Sequence, residues 1–379
     1  MKKGWEYKRL KDVAKFTRGL TYSKNDEAEL SNNIVLRSNN VDLSTGKLNF
    51  DELKYLRPEF SIPEDKIVKK GSLLMCMSNG SKIHLGKVAL IDEDYPYAFG
   101  GFMALVTPNE ELNPNFFLYS LSSPDYKGFI KKLSAGANIN NIKVKELELF
   151  TIPVPPLSEQ QSIVDYLDSA FAKIDAMKAN AEKALNEAKA LFQASLKEML
   201  EPKEGWNSMK LGDFAYMKAG DFVKASDIYQ DYAEGLYPCY GGNGFRGYVK
   251  EPNQEGDFCL IGRQGALCGC VNRAKGIFRT TEHAVIVKPY QDIPTSLVYY
   301  MLINLNLNKY ATGAAQPGLS VKNIAEQVII PVPPQNAQYS IATILDSLKS
   351  KVDRLQENYE KISQECDALK QAILRQVFE

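Results

Sequence analysis

The sequence lacks an apolar run of about 18 residues, the length that a membrane-spanning helix requires. It also lacks a surplus of either charge: 46 Lys and Arg balance 46 Asp and Glu across 379 residues. That balance excludes a polycation holding nucleic acid by bulk charge, so any such charge must be local. Its two histidines, His84 and His283, stand near no serine or cysteine nucleophile signature, and both read as structural rather than catalytic. Six cysteines (Cys76, Cys239, Cys259, Cys268, Cys270 and Cys366) follow no framework spacing, and the Cys268-x-Cys270 pair beside Cys259 finds no second half of a zinc site. They read as small buried thiols of a reduced, intracellular protein. The opening MKKGWEYKRL is too polar for a signal peptide, so the expected place is the cytoplasm, without a membrane partner.

Catalytic signatures are missing as well. The run Gly241-Gly242-Asn243-Gly244 is followed by no Gly-Lys-Ser/Thr and is not a P-loop. Glu187 and Lys189 have nuclease-like spacing but sit in a long helical stretch, and no two-metal ligand set is visible. The Pro-Pro pairs lack the Asn or Asp and the aromatic residue that frame an amino-methyltransferase site. The expectation is a non-catalytic chain with no cofactor or metal of its own.

What is present is a duplication. IPVPP occurs at Ile152–Pro156 and again at Ile330–Pro334. Beyond it, Ile163, Leu167, Asp168, Lys173, Asp175, Leu191, Ala194 and Leu196 match Ile341, Leu345, Asp346, Lys351, Asp353, Leu369, Ala372 and Leu374, each pair 178 positions apart without a gap. Upstream, Trp5, Leu10, Asp12, Ala14 and Gly19 recur 201 positions later as Trp206, Leu211, Asp213, Ala215 and Gly220. The block ends also match, SAGANINNIKVKELELFTIPVPP against ATGAAQPGLSVKNIAEQVIIPVPP, while the middles diverge. This gives four parts: a globular block 1–156, a helix 157–202, a second block 203–334 and a second helix 335–379.

Within the blocks, β-branched and aromatic runs (SLLMCM, KVALI and MALVTP; DFCLIG, CGCVN and HAVIVKP) punctuated by Gly, Asn and Asp predict strands. Helices are expected near Asn115–Leu121 and Thr295–Leu305. The fold class expected is α+β, a mixed topology. Ser158 and Gln161 have the form of a capping box after a proline stop, predicting a helix from Glu159 to Leu200. Forty-odd residues of helix span about 60 Å, too long to be buried in one block.

That helix shows an apolar alternation of four and three at Ile163, Leu167, Ala170, Ile174, Met177, Ala181, Ala184, Ala188 and Leu191. The second repeats it at Ile341, Leu345, Leu348, Val352, Leu355, Tyr359, Ile362, Cys366, Leu369 and Ile373. Both read as coiled-coil seams, one alanine-rich and one large, which suits an antiparallel pair. The expected arrangement is pseudo-twofold, two heads held by two long antiparallel helices, with prolines that block strand and helix alike at each joint.

Two similar heads at a fixed separation suit a ligand with two sites at constant spacing, and double-stranded DNA is such a ligand. Candidate contacts in the second block are Tyr240, Asn243, Phe245 and Arg246 in YGGNGFRGYV, Arg263 and Gln264 in IGRQGA, and Arg279 in FRTTEHA. In the first they are Arg37, Ser38, Asn39 and Asn40 in LRSNN, and Ser78, Asn79, Ser81, Lys82 and His84 in MSNGSKIHLG. Arginine can read guanine bidentately, and Asn or Gln can read adenine. The same residues also serve ordinary tight turns. A competing reading is a two-headed scaffold that binds proteins or glycans.

The W-x4-L-x-D opening, the G-x2-Q-x-G-L-S element at Gly313–Ser320 and the I-P-x-P-P-x3-Q-x2-I junction before a long helix resemble the specificity subunit of type I restriction-modification enzymes, twice over. The resemblance implies that each block is a target recognition domain reading half of a split, asymmetric DNA sequence, and that the helices set the gap. It also implies partners: two modification subunits, which bring S-adenosylmethionine and methylate adenine, and restriction subunits, which bring ATP-driven translocation and cleavage. Two departures stand out. The second junction, PPQNAQYSI, lacks the glutamate of PPLSEQQSI, and ANINNIKV replaces the Q-x-G-L-S element in the first block.

Overall fold

The computed structural model describes residues 4–135, 141–265, 267–313 and 317–378. The chain packs as two compact units, Met1–Asn180 with Lys361–Glu379, and Ala181–Glu360. Both mix helix and sheet, and the fold class is α+β as expected.

In the first unit the opening strand Glu6–Arg9 pairs antiparallel with Thr151–Val154, Tyr7 opposite Pro153. In the second, Asn207–Lys210 pairs with Ile329–Val332, Ser208 opposite Pro331. The first proline of IPVPP therefore does not block a strand, which corrects the sequence expectation. A two-stranded ribbon has open edges, where a residue without N–H is tolerated.

A four-residue helical turn then buries Leu10 and Val13, or Leu211 and Phe214. It leads into Ala14–Arg18 and Ala215–Ala219, each an edge strand of its unit's main sheet. The second unit has one six-stranded sheet, ordered Ala215–Ala219, Ala284–Pro289, Gln254–Gly262, Val271–Thr280, Tyr237–Gly241, Gly244–Val249. The first unit splits the same pattern into two four-stranded sheets. One is ordered Ala14–Arg18, Met103–Pro108, Leu73–Cys76, Val88–Leu90, and the other Glu27–Ala28, Lys54–Leu56, Asn33–Leu36, Ala98–Phe99. The reason is local. Val271–Thr280 runs ten residues unbroken, whereas the acidic, proline-containing turn IDEDYPY separates Val88–Leu90 from Ala98–Phe99. The central strands Leu73–Cys76 and Met103–Val106 are buried at every residue, as expected of strands covered on both faces.

The first long helix spans Leu157–Met199 and the second Gln335–Phe378. The expected Ser158–Gln161 capping box does not form. The helix starts earlier, with Glu159 N and Gln160 N donating to Pro156 O, and the Gln161 amide donates to Asp165 instead. The junction is fastened by Gln160, which is fully buried. Its Nε2 donates to Pro155 O at 2.8 Å and Glu111 O at 2.7 Å, and its Oε1 accepts from Asn113 N. Gln338, 178 positions on, donates to Pro333 O at 3.0 Å. The invariant spacing of the junction motif thus places a glutamine where it satisfies a proline carbonyl that the helix cannot reach. Trp5 Nε1 also donates to Glu159 Oε1 at 2.9 Å, a bond the second junction cannot copy because Ala337 replaces the glutamate.

In each unit the helix segments pack antiparallel. Asp175 meets Lys370 at 2.6 Å and Lys178 meets Asp367 at 3.6 Å in the first, and Lys189 donates to Gln356 at 2.7 Å in the second. These last two pairs are equivalent under the 178-residue repeat. The seam, however, is half out of phase with the sequence expectation. Leu167 and Ile174 are buried as expected, but Met177 is 60% exposed, Leu191 61% and Leu369 47%. The buried stripe of the first helix runs through Val164, Leu167, Ile174, Leu185, Phe192 and Leu196, with Phe171 half-buried beside it. One of the two alternating positions is shifted by one residue. In the second helix Leu345, Val352, Cys366 and Leu374 are buried, and Ile341, Leu348, Leu355, Ile362 and Ile373 half-buried. In the first, Ile163 and Ala170 are half-buried. Each head is also tied to its arm by a repeated bond, Tyr119 Oη to Asp168 and Tyr300 Oη to Asp346, the latter at 2.8 Å.

No helix among the described residues is long and apolar enough to cross a membrane. All six cysteines are free and five are buried. Among the described residues no cluster of His, Cys, Asp and Glu could hold a metal ion.

Candidate nucleic-acid interface

In both units the candidate loops converge at one end of the main sheet, because the same backbone bonds draw the same segments together. The loop after Leu73–Cys76 is anchored where Met77 N donates to Phe102 O at 2.8 Å and Ile142 N donates to Met77 O at 2.8 Å. The loop after Gln254–Gly262 repeats this, with Arg263 N donating to His283 O at 3.0 Å and Leu319 N to Arg263 O at 2.8 Å. Asn141 and Ile142 therefore do what Gly318 and Leu319 of the G-L-S element do, although their sequences differ. Gln316 and residues 137–140 lie outside the described residues.

The repeated opening glycine ends on this face too. A Cβ on Gly19 would sit 2.0 Å from Gly100 O, and one on Gly220 would sit 2.2 Å from Thr280 O. Only glycine lets the edge strand pass so close to the opposing backbone.

In the second unit a tight hairpin across Gly242 and Asn243 faces the loop at Gln264. A cavity of about 380 Å³ lies between them, lined by Gly242, Asn243, Arg246, Gln264, Gly265 and His283. Three sequence candidates are thus brought together, along with one histidine that sequence reading set aside. Arg246 lies across Gly241, where a Cβ would come 2.4 Å from its Cδ, so the glycine makes room for the arginine stem. Within the described residues the side chains of Asn243, Arg246 and Gln264 have no hydrogen-bond partner. Arg263 Nε, Arg279 Nε and His283 Nδ1 are buried with none either, as are Thr281 Oγ1 and Glu282 Oε2. Buried polar atoms are nearly always paired with protein, water or ligand, so this concentration makes the loop cluster the candidate polar surface of the second unit. Arg279 is held through Nη1 to Glu251 O at 3.1 Å. Tyr240 is half-buried, packed edge-on against Phe245 and Phe278, and burial pushes its phenol up. It supports Phe245, which is 53% exposed.

The first unit is more self-contained. Asn40 is fully buried, its amide donating to Asn49 O and Glu52 O at 2.9 Å and accepting from Arg37 N at 2.8 Å. It builds the loop and is withdrawn as a base contact. Asn39 donates to Glu52, and Asn79 ties two candidate loops by donating to Ser38 Oγ at 2.9 Å while accepting from Ser81 N. Ser78 sits at the anchored loop base. Arg37 Nε and His84 Nδ1 are buried and unpartnered, and Ser81 and Lys82 are exposed. Burial, and then the charge of Lys87, hold the His84 imidazole below its ordinary pKa. Lys87 itself is buried, depressed by desolvation, and donates to Val41 O at 2.9 Å behind the same loops.

The sequence profile of the type I restriction modification DNA specificity domain matches residues 2–187 and again residues 203–364. The chain belongs to this family. Relatives include the EcoprrI specificity subunit of Escherichia coli, 45% identical over 148 residues, covering 39% of this chain and 37% of that protein. The EcoKI specificity subunit of Escherichia coli K12 is 26% identical over 425 aligned residues, covering 99% of this chain and 88% of that one. Among solved structures, a chain from work on complex assembly and conformational transition of the type I R-M system superposes with a TM-score of 0.79 at 20% identity, covering 98% of this chain and 97% of that one. The HsdS subunit of Thermoanaerobacter tengcongensis superposes at 0.55 and 20% identity, over 100% and 97%. At these identities the structures show the fold. The family match shows a DNA specificity subunit of type I restriction-modification, whose family is non-catalytic.

Two exposed apolar residues at this face carried no sequence signal. Ile83 and Leu267 are 71% and 57% exposed, and one aliphatic residue in a polar or small-residue loop looks like ordinary filler.

Proposed function

We propose that the chain chooses the DNA sequence for a type I restriction-modification complex, each unit reading one half of a bipartite, asymmetric target. The recognition domains are 1–156 and 203–334, and the long helices, 157–202 and 335–379, set the gap between half-sites. The observation that supports this best is the doubled loop scaffold: identical backbone anchors, different side chains. Such a design holds two readers in equivalent frames while letting each read its own bases. In the second unit Arg246 suits the O6 and N7 of guanine, with Asn243 and Gln264 suited to adenine. In the first, Arg37, Ser81 and Lys82 are the open donors. The partners are double-stranded DNA, two modification subunits bringing S-adenosylmethionine for adenine methylation, and restriction subunits bringing ATP-driven translocation and cleavage.

The test is a methylome of cells that carry this chain with its modification subunit. One bipartite motif is expected, and Arg246→Ala should relax one half of it while leaving the other half and the gap unchanged. A continuous motif, or an Arg246→Ala variant that alters both halves alike, overturns the reading.

A further inference from the structure

The loop that leaves Leu73–Cys76 and the loop that leaves Gln254–Gly262 occupy the same place in their two sheets. Cys76 pairs with Met103 at the end of one, and Gly262 with Ala284 at the end of the other. At the outer end of each loop stands one aliphatic residue held out from the protein, Ile83 at 71% exposure and Leu267 at 57%. Neither is slack. Ile83 is the middle of the 3-10 turn Lys82–His84, closed by Leu85 N donating to Lys82 O and Gly86 N donating to Cys76 O at 2.8 Å. Two positions on, Leu85 is turned in and buried. Leu267 is fixed by Cys270 N donating to its carbonyl at 3.1 Å and Gly269 N donating to Gly262 O at 2.7 Å, while Cys268 is turned in and buried. Two divergent loops thus arrive at one design, an ordered turn that presents one apolar side chain outward and turns another, one or two positions later, inward.

The flanking groups indicate what the outward residue meets. Lys82 and His84 bracket Ile83, and Gln264 and the buried, unpartnered Arg263 Nε lie on the Leu267 loop. Single aliphatic residues among hydrogen-bonding side chains fit the major groove, where the thymine C5-methyl is the one apolar group among donors and acceptors.

Building on the half-site reading above, we propose that Ile83 and Leu267 are specificity residues that each contact a thymine methyl group in the half-site of their own unit. Removing one methyl from water corresponds to about fourfold in affinity. The assembled complex, chain plus modification subunit, is offered duplexes of its own target in which each thymine in turn is replaced by deoxyuridine, which lacks only that methyl. For the unaltered chain, one position in each half-site should weaken binding about fourfold. Ile83→Ala should abolish that sensitivity in one half-site and Leu267→Ala in the other, with thermal unfolding unchanged because both side chains are exposed. Sensitivity that persists in both variants, no sensitive position in the unaltered complex, or a half-site without an A·T pair overturns the proposal. A target that is not bipartite defeats instead the half-site reading on which it rests.

Discussion

The two reading faces share a backbone and differ in how far their side chains are already spent. In the first unit Asn39, Asn40 and Asn79 are bound to Glu52, Asn49 and Ser38, and the loops brace one another. In the second, Asn243, Arg246 and Gln264 line an open cavity backed by buried atoms that lack partners. Internal hydrogen bonds to charged or buried partners fix a loop before ligand arrives, whereas unpaired buried groups cost free energy until a ligand supplies the bonds. The first face accordingly spends more of its polar side chains on its own loops, though Arg37 Nε and His84 Nδ1 stay unpartnered there too, and the second leaves more of them open. The junctions differ in the same direction: Gln160 satisfies two carbonyls and Trp5 reaches Glu159, while Gln338 satisfies one and Ala337 offers nothing.

The shared frame is broken most severely at its glycines. Gly19→Ala and Gly220→Ala each place a Cβ about 2 Å from a backbone oxygen that no side-chain rotation can clear. Each should destabilise its own unit by more than about 3 kcal/mol, seen as an earlier denaturant transition; a loss under about 1 kcal/mol would mean the strands do not approach so closely. The seam comes next. Leu185→Ala, at 3% exposure, should cost about 2–4 kcal/mol, and Leu191→Ala less than about 0.5. Equal costs would restore the phase expected from sequence.

The junctions sharpen the comparison between units. Gln160→Ala should cost about 2–3 kcal/mol and Gln338→Ala about 1, by chemical denaturation, in line with the bonds each makes; the reverse order would contradict the asymmetry. The smallest effect expected is the one the units share. The Tyr119 and Tyr300 phenols are pushed up by burial first, then by their bonds to Asp168 and Asp346. A pKa raised in the folded state means stabilisation fully present below about pH 10, the unfolded value, and lost as pH climbs through the folded ones. Melting temperature should therefore fall above pH 10. A Tyr119→Phe/Tyr300→Phe double variant should fall less steeply, and identical slopes would show the phenols to be uncoupled from stability.

Much of the architecture is legible in the chain. The duplication, both long helices, the strands at Leu73–Cys76, Met103–Pro108 and Ala284–Pro289, and the helix at Thr295–Asn304 follow from periodicity and turn residues, which are local properties. The errors have local causes as well. In the second helix the exposed Leu369 is replaced at the seam by Lys370, whose ammonium lies over the Phe171 ring and bonds Asp175 of the other helix, so an apolar count selects the neighbouring leucine. Polar loop residues alike in sequence divide into builders, such as Asn40, and open donors, such as Asn243, only once their surroundings exist.

By itself the sequence determined the repeat, the lengths of the arms and the strand-rich heads, because hydrogen-bond periodicity and proline chemistry act over a few residues. Tertiary structure alone decided which face of each helix is buried, which asparagines are consumed inside the protein, and that segments far apart in the chain, such as Gly220 and Leu319, meet at one end of the second unit's sheet. Those outcomes depend on what packs against a residue, and packing partners here are set by sheet topology rather than by neighbours in the chain.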